Sequence, residues 1–256
     1  MPKLAISGKG GVGKTTLASL LAYIYAEEGK VLAIDADPAA SLASALGIPP
    51  DVAAKIVPIA EMGDLIEERT GARPGSSGGM FSLNPRVDDI PERFSASHRG
   101  IKLLVLGGVK RGGAGCMCPE GSLLKKLVMH LFIGRSEAVI LDMEAGLEHL
   151  GRGTAGAVDA FIVVVEPGQR SLQTAQAIRH LAGDIGIHRV FVVGNKIRNE
   201  QDEQFILDRL PGDEVLGFLP FSERVIEADM NGVAVFDVAP EIVTEARRIR
   251  TKLTFS

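Results

Sequence analysis

The fold is decided by the stretch Gly8-Lys9-Gly10-Gly11-Val12-Gly13-Lys14-Thr15-Thr16 near the start of the chain. From Gly8 to Thr15 it fits the pattern G-x-x-x-x-G-K-[ST] of a phosphate-binding loop, whose glycines let backbone N–H groups point at phosphate oxygens. In such a loop Lys14 reaches the β- and γ-phosphates and the hydroxyl of Thr15 binds Mg²⁺. An apolar run precedes the loop and a helical pattern follows it, which places a helix N-terminus at the phosphates. We therefore predict that Gly8, Gly10, Gly11, Val12, Gly13, Lys14, Thr15 and Thr16 bind a nucleoside triphosphate.

Short apolar runs alternate with helical patterns along the rest of the chain. The strand candidates are Lys3–Ser7, Val31–Asp35, Lys102–Leu106, Ala138–Asp142, Ala160–Val165, Arg189–Gly194 and Val215–Leu219. The helix candidates are Thr15–Glu28, Leu123–Phe132, Ser171–Ile185, Glu200–Arg209, Glu223–Met230 and Pro240–Lys252. Several runs are apolar at almost every position, which is typical of strands buried on both faces of a parallel sheet. The pattern predicts the α/β class, with a doubly wound, mostly parallel β-sheet of about seven strands flanked by helices.

The region from about 49 to 100 interrupts this alternation. It contains a helical pattern near Ile59–Glu68 and a glycine-rich loop from Gly71 to Gly79. We interpret it as an irregular excursion from the sheet, so that residues 1–256 form a single ATPase domain.

Composition limits the classes of function. The chain has 256 residues, of which 46% are apolar and 23% charged, as is ordinary for a folded domain. A net charge of −4 and the absence of Trp argue against general nucleic-acid binding. Apolar runs are too short to cross a bilayer, and the first residues do not resemble a signal peptide. We therefore expect a cytoplasmic protein that binds neither nucleic acid nor membranes.

Polar residues follow several of the predicted strands, at the edge where open α/β sheets bind ligands. Asp142 ends a predicted apolar strand, which is the position of the carboxylate that holds Mg²⁺ through water in P-loop proteins. Gly146, a few residues later, would let the backbone approach the γ-phosphate closely. Asp35 fits either a site carboxylate or an exposed strand-end acid. Guanine-binding proteins have an acid three residues after such an asparagine, but this chain has Arg198 there, which can only donate hydrogen bonds. We therefore predict that the bound base is adenine and that Asn195 pairs with its exocyclic amine. The expected ligands are ATP or ADP with Mg²⁺.

The cysteines of the chain, Cys116 and Cys118, lie at the end of a glycine-rich loop. Two thiolates make half of a four-ligand metal site, and a second copy of the chain could supply the other half across a two-fold axis. Lys9 points to the same assembly, because it cannot easily reach its own γ-phosphate alongside Lys14 but could reach across a subunit interface. A Cys116–Cys118 disulfide and two inert side chains remain the alternatives at this point.

The stretch from Lys9 to Thr16 resembles the deviant Walker A loop of the MinD and nitrogenase iron-protein ATPases. This resemblance implies that Lys9 contacts the nucleotide of the partner subunit in a face-to-face homodimer. It also implies that Asp37 orients the attacking water, so that Lys9, Lys14 and Asp37 are the catalytic residues.

Two segments sharpen the resemblance. Cys116-Met117-Cys118 followed by Glu148-His149-Leu150-Gly151-Arg152-Gly153-Thr154 is similar to the CooC-type carbon monoxide dehydrogenase maturation ATPases. The similarity implies ATP-dependent insertion of nickel into the Ni-Fe-S cluster of carbon monoxide dehydrogenase, the client protein. It also implies that Cys116 and Cys118 bind Ni²⁺ at the dimer interface. Thiolates also accept Zn²⁺, and acetyl-CoA synthase stays open as the client.

Two other functions compete with this hypothesis. A MinD/ParA-like positioning ATPase would need a membrane-seeking helix or a basic DNA-binding face. The amphipathic pattern of Pro240–Lys252 could provide the former, but a helix that covers the sheet is the favoured interpretation. An electron-transfer iron protein would share an Fe–S cluster across the dimer, with cysteines from well-separated segments.

Overall fold

The computed structural model describes residues 1–75, 80–107, 118–134, 136–145, 147, 150, 152–210 and 214–253. Its strands are β1 (Lys3–Gly8), β2 (Val31–Ala36), β3 (Ala96–His98), β4 (Ile101–Val105), β5 (Ala138–Met143), β6 (Ala160–Val165), β7 (Val190–Ile197) and β8 (Val215–Pro220). They form a sheet of 8 strands in the order β3-β4-β2-β5-β1-β6-β7-β8. Neighbouring strands pair in parallel, except that β3 pairs with β4 in antiparallel register.

Helices connect the strands over both faces of this sheet. They are α1 (Lys14–Ala26), α2 (Leu42–Ala45), α3 (Pro50–Ala53), α4 (Gly63–Thr70), α5 (Ile90–Phe94), α6 (Pro119–Ile133), α7 (Arg152–Ala155), α8 (Gln169–Asp184), α9 (Glu200–Leu207), α10 (Glu223–Asn231), α11 (Val235–Val238) and α12 (Pro240–Lys252). A 3-10 turn over Ile59–Glu61 precedes α4. None of the helices within the described ranges is long and apolar enough to cross a membrane.

Alternate residues of the central strands divide the core into two layers. Leu4 and Ile6 of β1 belong to the layer that α1, α10, α11 and α12 cover. Leu32 and Ile34 of β2 belong to the other layer, which α4, α6 and α8 cover. Burial on both faces explains why the strands read as continuous apolar runs. The predicted doubly wound, mostly parallel α/β fold is confirmed.

The eighth strand, β3, is a correction to the expected number of about seven. Its three residues, Ala96–His98, are only half-buried or exposed, and they pair at the edge of the sheet. A short edge strand with polar side chains has no apolar periodicity, so the sequence pattern did not reveal it. The helix expected near Ile59–Glu68 is divided into the 3-10 turn and α4. The interpretation of the chain as one domain stays a prediction.

The amphipathic segment Pro240–Lys252 forms α12 with the predicted bounds. Its side chains Ile242, Ala246 and Ile249 are 1%, 0% and 1% exposed and belong to the core layer under α1. The apolar face of α12 therefore covers the sheet, as the favoured interpretation of this segment expected.

Candidate functional site

The loop between β1 and α1 has a backbone that only glycine adopts easily. Gly11 and Gly13 have φ angles of 78° and 97°, in the left-handed region that disfavours side chains. A Cβ on Gly13 would lie 2.1 Å from the amide nitrogen of Asn195, and one on Gly8 would lie 2.4 Å from the carbonyl oxygen of Val164. The glycines of the motif are therefore needed both for the turn and for the close approach of β6 and β7.

The N-terminus of α1 is available to an anion. Gly13 at the N-cap provides no side-chain hydrogen bond, and the first turn contains no acidic residue. The first N–H groups of the helix and its dipole therefore favour a negatively charged ligand at this end. Lys14 begins the helix and is only 6% exposed, so a positive charge is held within the fold beside the loop.

Two carboxylates lie side by side at the carboxyl ends of β2 and β5. Asp35 and Asp142 are register partners across these strands, and both are 0% exposed. Burial raises the pKa of Asp142 to about 7, with a smaller contribution from Asp35, while the hydrogen bond from Thr15 and the charge of Lys14 act in the opposite direction. Burial likewise raises the pKa of Asp35 to about 6, against two hydrogen bonds from backbone N–H groups.

The arrangement around Asp142 fits a hydrated magnesium ion. The hydroxyl of Thr15 donates to Oδ2 of Asp142 at 2.6 Å. Oδ1 of the same carboxylate is buried without a hydrogen-bond partner, which is costly unless a ligand or water completes the site. A hydroxyl beside a carboxylate, facing a phosphate-binding loop, is the set of oxygen donors that Mg²⁺ prefers. Thr15 and Asp142 could therefore hold the metal ion of a bound nucleotide.

Asp35 fixes the turn that carries Asp37. Its Oδ1 accepts from the N–H of Asp37 at 3.1 Å, and its Oδ2 accepts from the N–H of Leu42 at 2.8 Å. Asp37 itself accepts from the N–H of Ala39 at 2.9 Å and is half-buried. Of the two roles that the sequence left open for Asp35, the exposed acid is wrong, because the side chain is fully buried.

The end of β7 holds the phosphate loop from the other side. Asn195 is 8% exposed, donates from Nδ2 to the carbonyl oxygen of Val12 at 2.7 Å, and accepts from the N–H of Lys196 at 2.8 Å. Lys196 donates to the carbonyl oxygen of Gly11 at 2.7 Å. These contacts hold the carbonyl groups of Val12 and Gly11 against the end of β7. The pairing of Asn195 with adenine stays a prediction.

A cavity of about 590 Å³ adjoins the loop, between the ends of β7 and β8. Gly13, Asn195, Arg198, Pro220 and Phe221 contribute to its walls. The guanidinium of Arg198 lies 4.8 Å from the ring centroid of Phe221, so the entrance combines a cation with an aromatic face. A cavity of this size beside a phosphate site suits the base and ribose of a nucleotide.

Sequence reasoning missed Glu166 and Lys196. Glu166 forms ion pairs with Lys196 at 3.0 Å and with Lys9 at 3.8 Å. The sequence did contain a signal, since Glu166 directly follows the apolar strand β6 and Asp142 likewise lies at the carboxyl end of β5. Its partners come from distant parts of the chain, and only the sheet order brings them together.

The structure describes only part of the cysteine site. Outside the described residues lie Cys116 and, from the other predicted motifs, Gly146, Glu148 and His149. Cys118 is half-buried and forms the N-cap of α6, where its Sγ accepts from the N–H of Gly121 at 3.4 Å. Over the described ranges no group of three or more His, Cys, Asp or Glu side chains could hold a metal ion. The metal site at Cys116 and Cys118 stays a prediction.

Comparison with known proteins defines the class. The family described as the CobQ/CobB/MinD/ParA nucleotide binding domain matches residues 3–235, and the chain belongs to this family. The predicted P-loop ATPase is thereby confirmed. A solved plasmid partition protein from Borrelia burgdorferi, bound to AMPPNP, has the same fold, with a TM-score of 0.70, 17% identity and coverage of 98% of each chain.

Two relatives are closer in sequence. The chain is 47% identical to the carbon monoxide dehydrogenase accessory protein CooC of Rhodospirillum rubrum, over 98% of this chain and 95% of that protein. It is 46% identical to an uncharacterized ATP-binding protein of Methanocaldococcus jannaschii, over 90% of this chain and 89% of that protein. The resemblance to CooC-type proteins that the sequence motifs indicated is thus confirmed.

The contact between Gly13 and Asn195 can be tested by adding one methyl group. In the Gly13→Ala variant we expect the free energy of unfolding to fall by more than about 1 kcal/mol, because alanine is strained at positive φ and its Cβ meets the Asn195 amide. Gly10→Ala is the matched control, since a Cβ there meets nothing within 4 Å, and its change should stay within about 0.5 kcal/mol. Urea unfolding without nucleotide measures both. Equal losses would contradict the close approach.

The buried charge of Asp142 should appear as a dependence of stability on pH. Since the pKa is raised from 3.8 to about 7, the folded state holds the proton more tightly, and ionisation lowers stability as pH rises through this window. Asp142→Asn removes that loss, so its stability relative to the parent should increase from pH 4 to pH 8, by on the order of 3 kcal/mol. Chemical unfolding in EDTA without nucleotide measures the difference.

A matched control for this experiment is Asp88→Asn. Asp88 is exposed, and its hydrogen bond with Arg86 lowers its pKa. Its replacement should therefore give a small change of the opposite sign. A difference between Asp142→Asn and the parent that does not vary with pH would show that the carboxylate is not held in a desolvated environment.

Proposed function

We propose that the chain is an ATP-hydrolysing accessory protein that binds nickel and delivers it to the Ni-Fe-S cluster of carbon monoxide dehydrogenase. The observation that carries this proposal is the 47% identity with CooC over 98% of the chain. An identity this high, extending over the whole length, favours a shared client as well as a shared nucleotide site. The proposal places the protein in the cytoplasm, where ATP is available and thiols are kept reduced.

The nucleotide chemistry follows from the residues around the loop. The loop N–H groups and Lys14 neutralise phosphate charge, and Thr15 and Asp142 hold Mg²⁺, which when bound stabilises charge on the β- and γ-phosphate oxygens. Asp37, on the turn that Asp35 fixes, orients the attacking water. In this proposal the backbone at Gly146 approaches the γ-phosphate and Asn195 pairs with adenine.

Lys9 completes the site in a homodimer. Its side chain in the phosphate-binding loop is 41% exposed, which supports a role towards a second copy of the chain. A cation supplied across an interface in this way raises the rate of related phosphoryl transfers by about 10³ to 10⁵. ATP thus favours a dimer in which each subunit completes the site of the other.

The same dimer would bring two cysteine pairs together. Cys116 and Cys118 of each copy would supply two thiolates, so that the dimer would hold the nickel cargo with four thiolate ligands. The N–H of Gly121 donates to Sγ of Cys118, so this sulfur lies at the N-terminus of α6. Zn²⁺ could substitute for nickel, because thiolate ligands accept both ions.

A positioning ATPase is the alternative. It would need a segment that binds a membrane or DNA, and α12 was the candidate for the former. Burial of Ile242 and Ile249, each 1% exposed, argues against that use, because the same side chains cannot cover the sheet and enter a bilayer. The carbon monoxide dehydrogenase hypothesis also gives the cysteine pair a role, whereas the alternative does not.

Metal stoichiometry and solution mass, measured together under reducing anaerobic conditions, test the proposal. We expect about half a Ni²⁺ ion per chain, in a dimer that forms with ATP, since four thiolates bind one ion. The double variant Cys116→Ser, Cys118→Ser should lose the metal and keep ATP binding. Met117→Leu, which changes the residue between the cysteines, is the matched control and should retain the metal.

A chain that stays monomeric and binds no nickel through its cysteines would contradict the proposed delivery. The nucleotide site would survive that result. ATP-dependent co-sedimentation with liposomes or DNA would then support the positioning ATPase.

A further inference from the structure

Three charged side chains meet beside the phosphate-binding loop. Oε2 of Glu166 lies 3.0 Å from Nζ of Lys196, and Oε1 lies 3.8 Å from Nζ of Lys9. Glu166 directly follows β6, and its backbone N–H donates to the hydroxyl of Ser171 in α8 at 3.0 Å. One carboxylate, fixed at the end of a central strand, therefore serves two lysines.

The two lysines are held very differently. Nζ of Lys196 also donates to the carbonyl oxygen of Gly11 at 2.7 Å, and the N–H of Lys196 donates to Asn195 at 2.8 Å. The backbone of Lys196 has a φ of 59°, a conformation that is retained in a non-glycine residue only when its surroundings hold it. Lys196 is thus part of the support of the loop.

Lys9 makes the longer of the two ion pairs with Glu166. Its ion pair of 3.8 Å is longer than a hydrogen bond, and the residue lies within the glycine-rich loop at the surface. If Lys9 moves away, Glu166 keeps the shorter ion pair with Lys196. The carboxylate therefore does not become unpaired, and the cost of releasing Lys9 is low.

We infer that Glu166 retains the Lys9 ammonium at its own subunit in the isolated chain, and releases it while staying paired with Lys196 when Lys9 passes to the nucleotide of a second copy. The inference rests on the proposed function, which assigns Lys9 to the partner's nucleotide. Glu166 acts here as a positioning residue. It keeps Lys9 from its trans position until a bound triphosphate offers more negative charge than one carboxylate.

The size of the effect follows from the exposure of the pair. Side chains of Lys9 and Glu166 are 41% and 27% exposed, and ion pairs in such positions contribute little each. A dimer gives up two of them, so their removal should tighten the dimer by roughly 2- to 30-fold. The ion pair between Lys9 and Glu166 therefore weakens dimerisation slightly, and binding of the triphosphate outweighs this effect.

Zero-length cross-linking with a carbodiimide tests the exchange, because the reagent joins a carboxylate to an amine that it contacts. In the full chain without nucleotide, mass spectrometry should find Glu166 joined to Lys9 and to Lys196. With Mg²⁺ and a non-hydrolysable ATP analogue, the Lys9 cross-link should fall with the fraction of dimer while the Lys196 cross-link persists. Glu166→Gln should abolish both.

Dimerisation of Glu166→Gln provides the second measurement. The glutamine oxygen can still accept from Lys196, so the support of the loop is kept while the charge that attracts Lys9 is removed. Its dimer dissociation constant with the ATP analogue should fall by roughly 2- to 30-fold. Glu200→Gln, an exposed acid at the start of α9, is the matched control and should leave the constant unchanged.

The outcomes separate this inference from the proposed function. A Lys9 cross-link that is absent without nucleotide, or that stays at full yield in a proven dimer, would overturn the inference alone. A Glu166→Gln dimer that is no tighter than the parent would do the same. A chain that never dimerises with the ATP analogue would contradict the proposed dimer and the release of Lys9 together.

Discussion

Asp35 and Asp142 are adjacent in register on β2 and β5, and neither carboxylate reaches solvent. Two acids in such an environment lower the stability of the isolated chain, and burial raises the pKa of both. Local hydrogen bonds offset this loss of stability. Asp35 accepts hydrogen bonds that hold the turn before α2, and Asp142 accepts from Thr15. The buried acids thereby tie Thr15 and the turn before α2 to the strand ends, where the proposed nucleotide and its Mg²⁺ would bind.

The fold could be predicted from sequence because its strands are buried on both faces and its loop motif admits only glycine at key positions. β3 could not, since its three residues have neither an apolar run nor a buried face. At the candidate site, Lys14, Thr15 and Asp142 could be predicted because each lies at a fixed place in a local motif, and their roles stay predictions. Glu166 was not, because its importance depends on Lys9 and Lys196, which the chain order separates and the sheet order brings together.

The nucleotide site and the proposed metal site depend on different features of the sequence. Phosphate binding depends on the backbone of the loop, and a solved partition protein at 17% identity shares the fold that carries this loop. Of the cysteine pair the structure describes Cys118, the N-cap of α6, a helix that packs in the core layer opposite α1. The proposed nickel delivery would require that the nucleotide state alters the geometry at the cysteines, and the proposed dimer would link the two sites.

In the proposed function, ATP and nickel favour the same dimer. Two ligands that stabilise one state must strengthen each other's binding by the same factor. Equilibrium dialysis of Ni²⁺ against the full chain, with a non-hydrolysable ATP analogue or with ADP, measures that factor directly. We predict that the analogue tightens cysteine-dependent nickel binding by about 5- to 150-fold relative to ADP. Equal affinities with the two nucleotides would contradict the account.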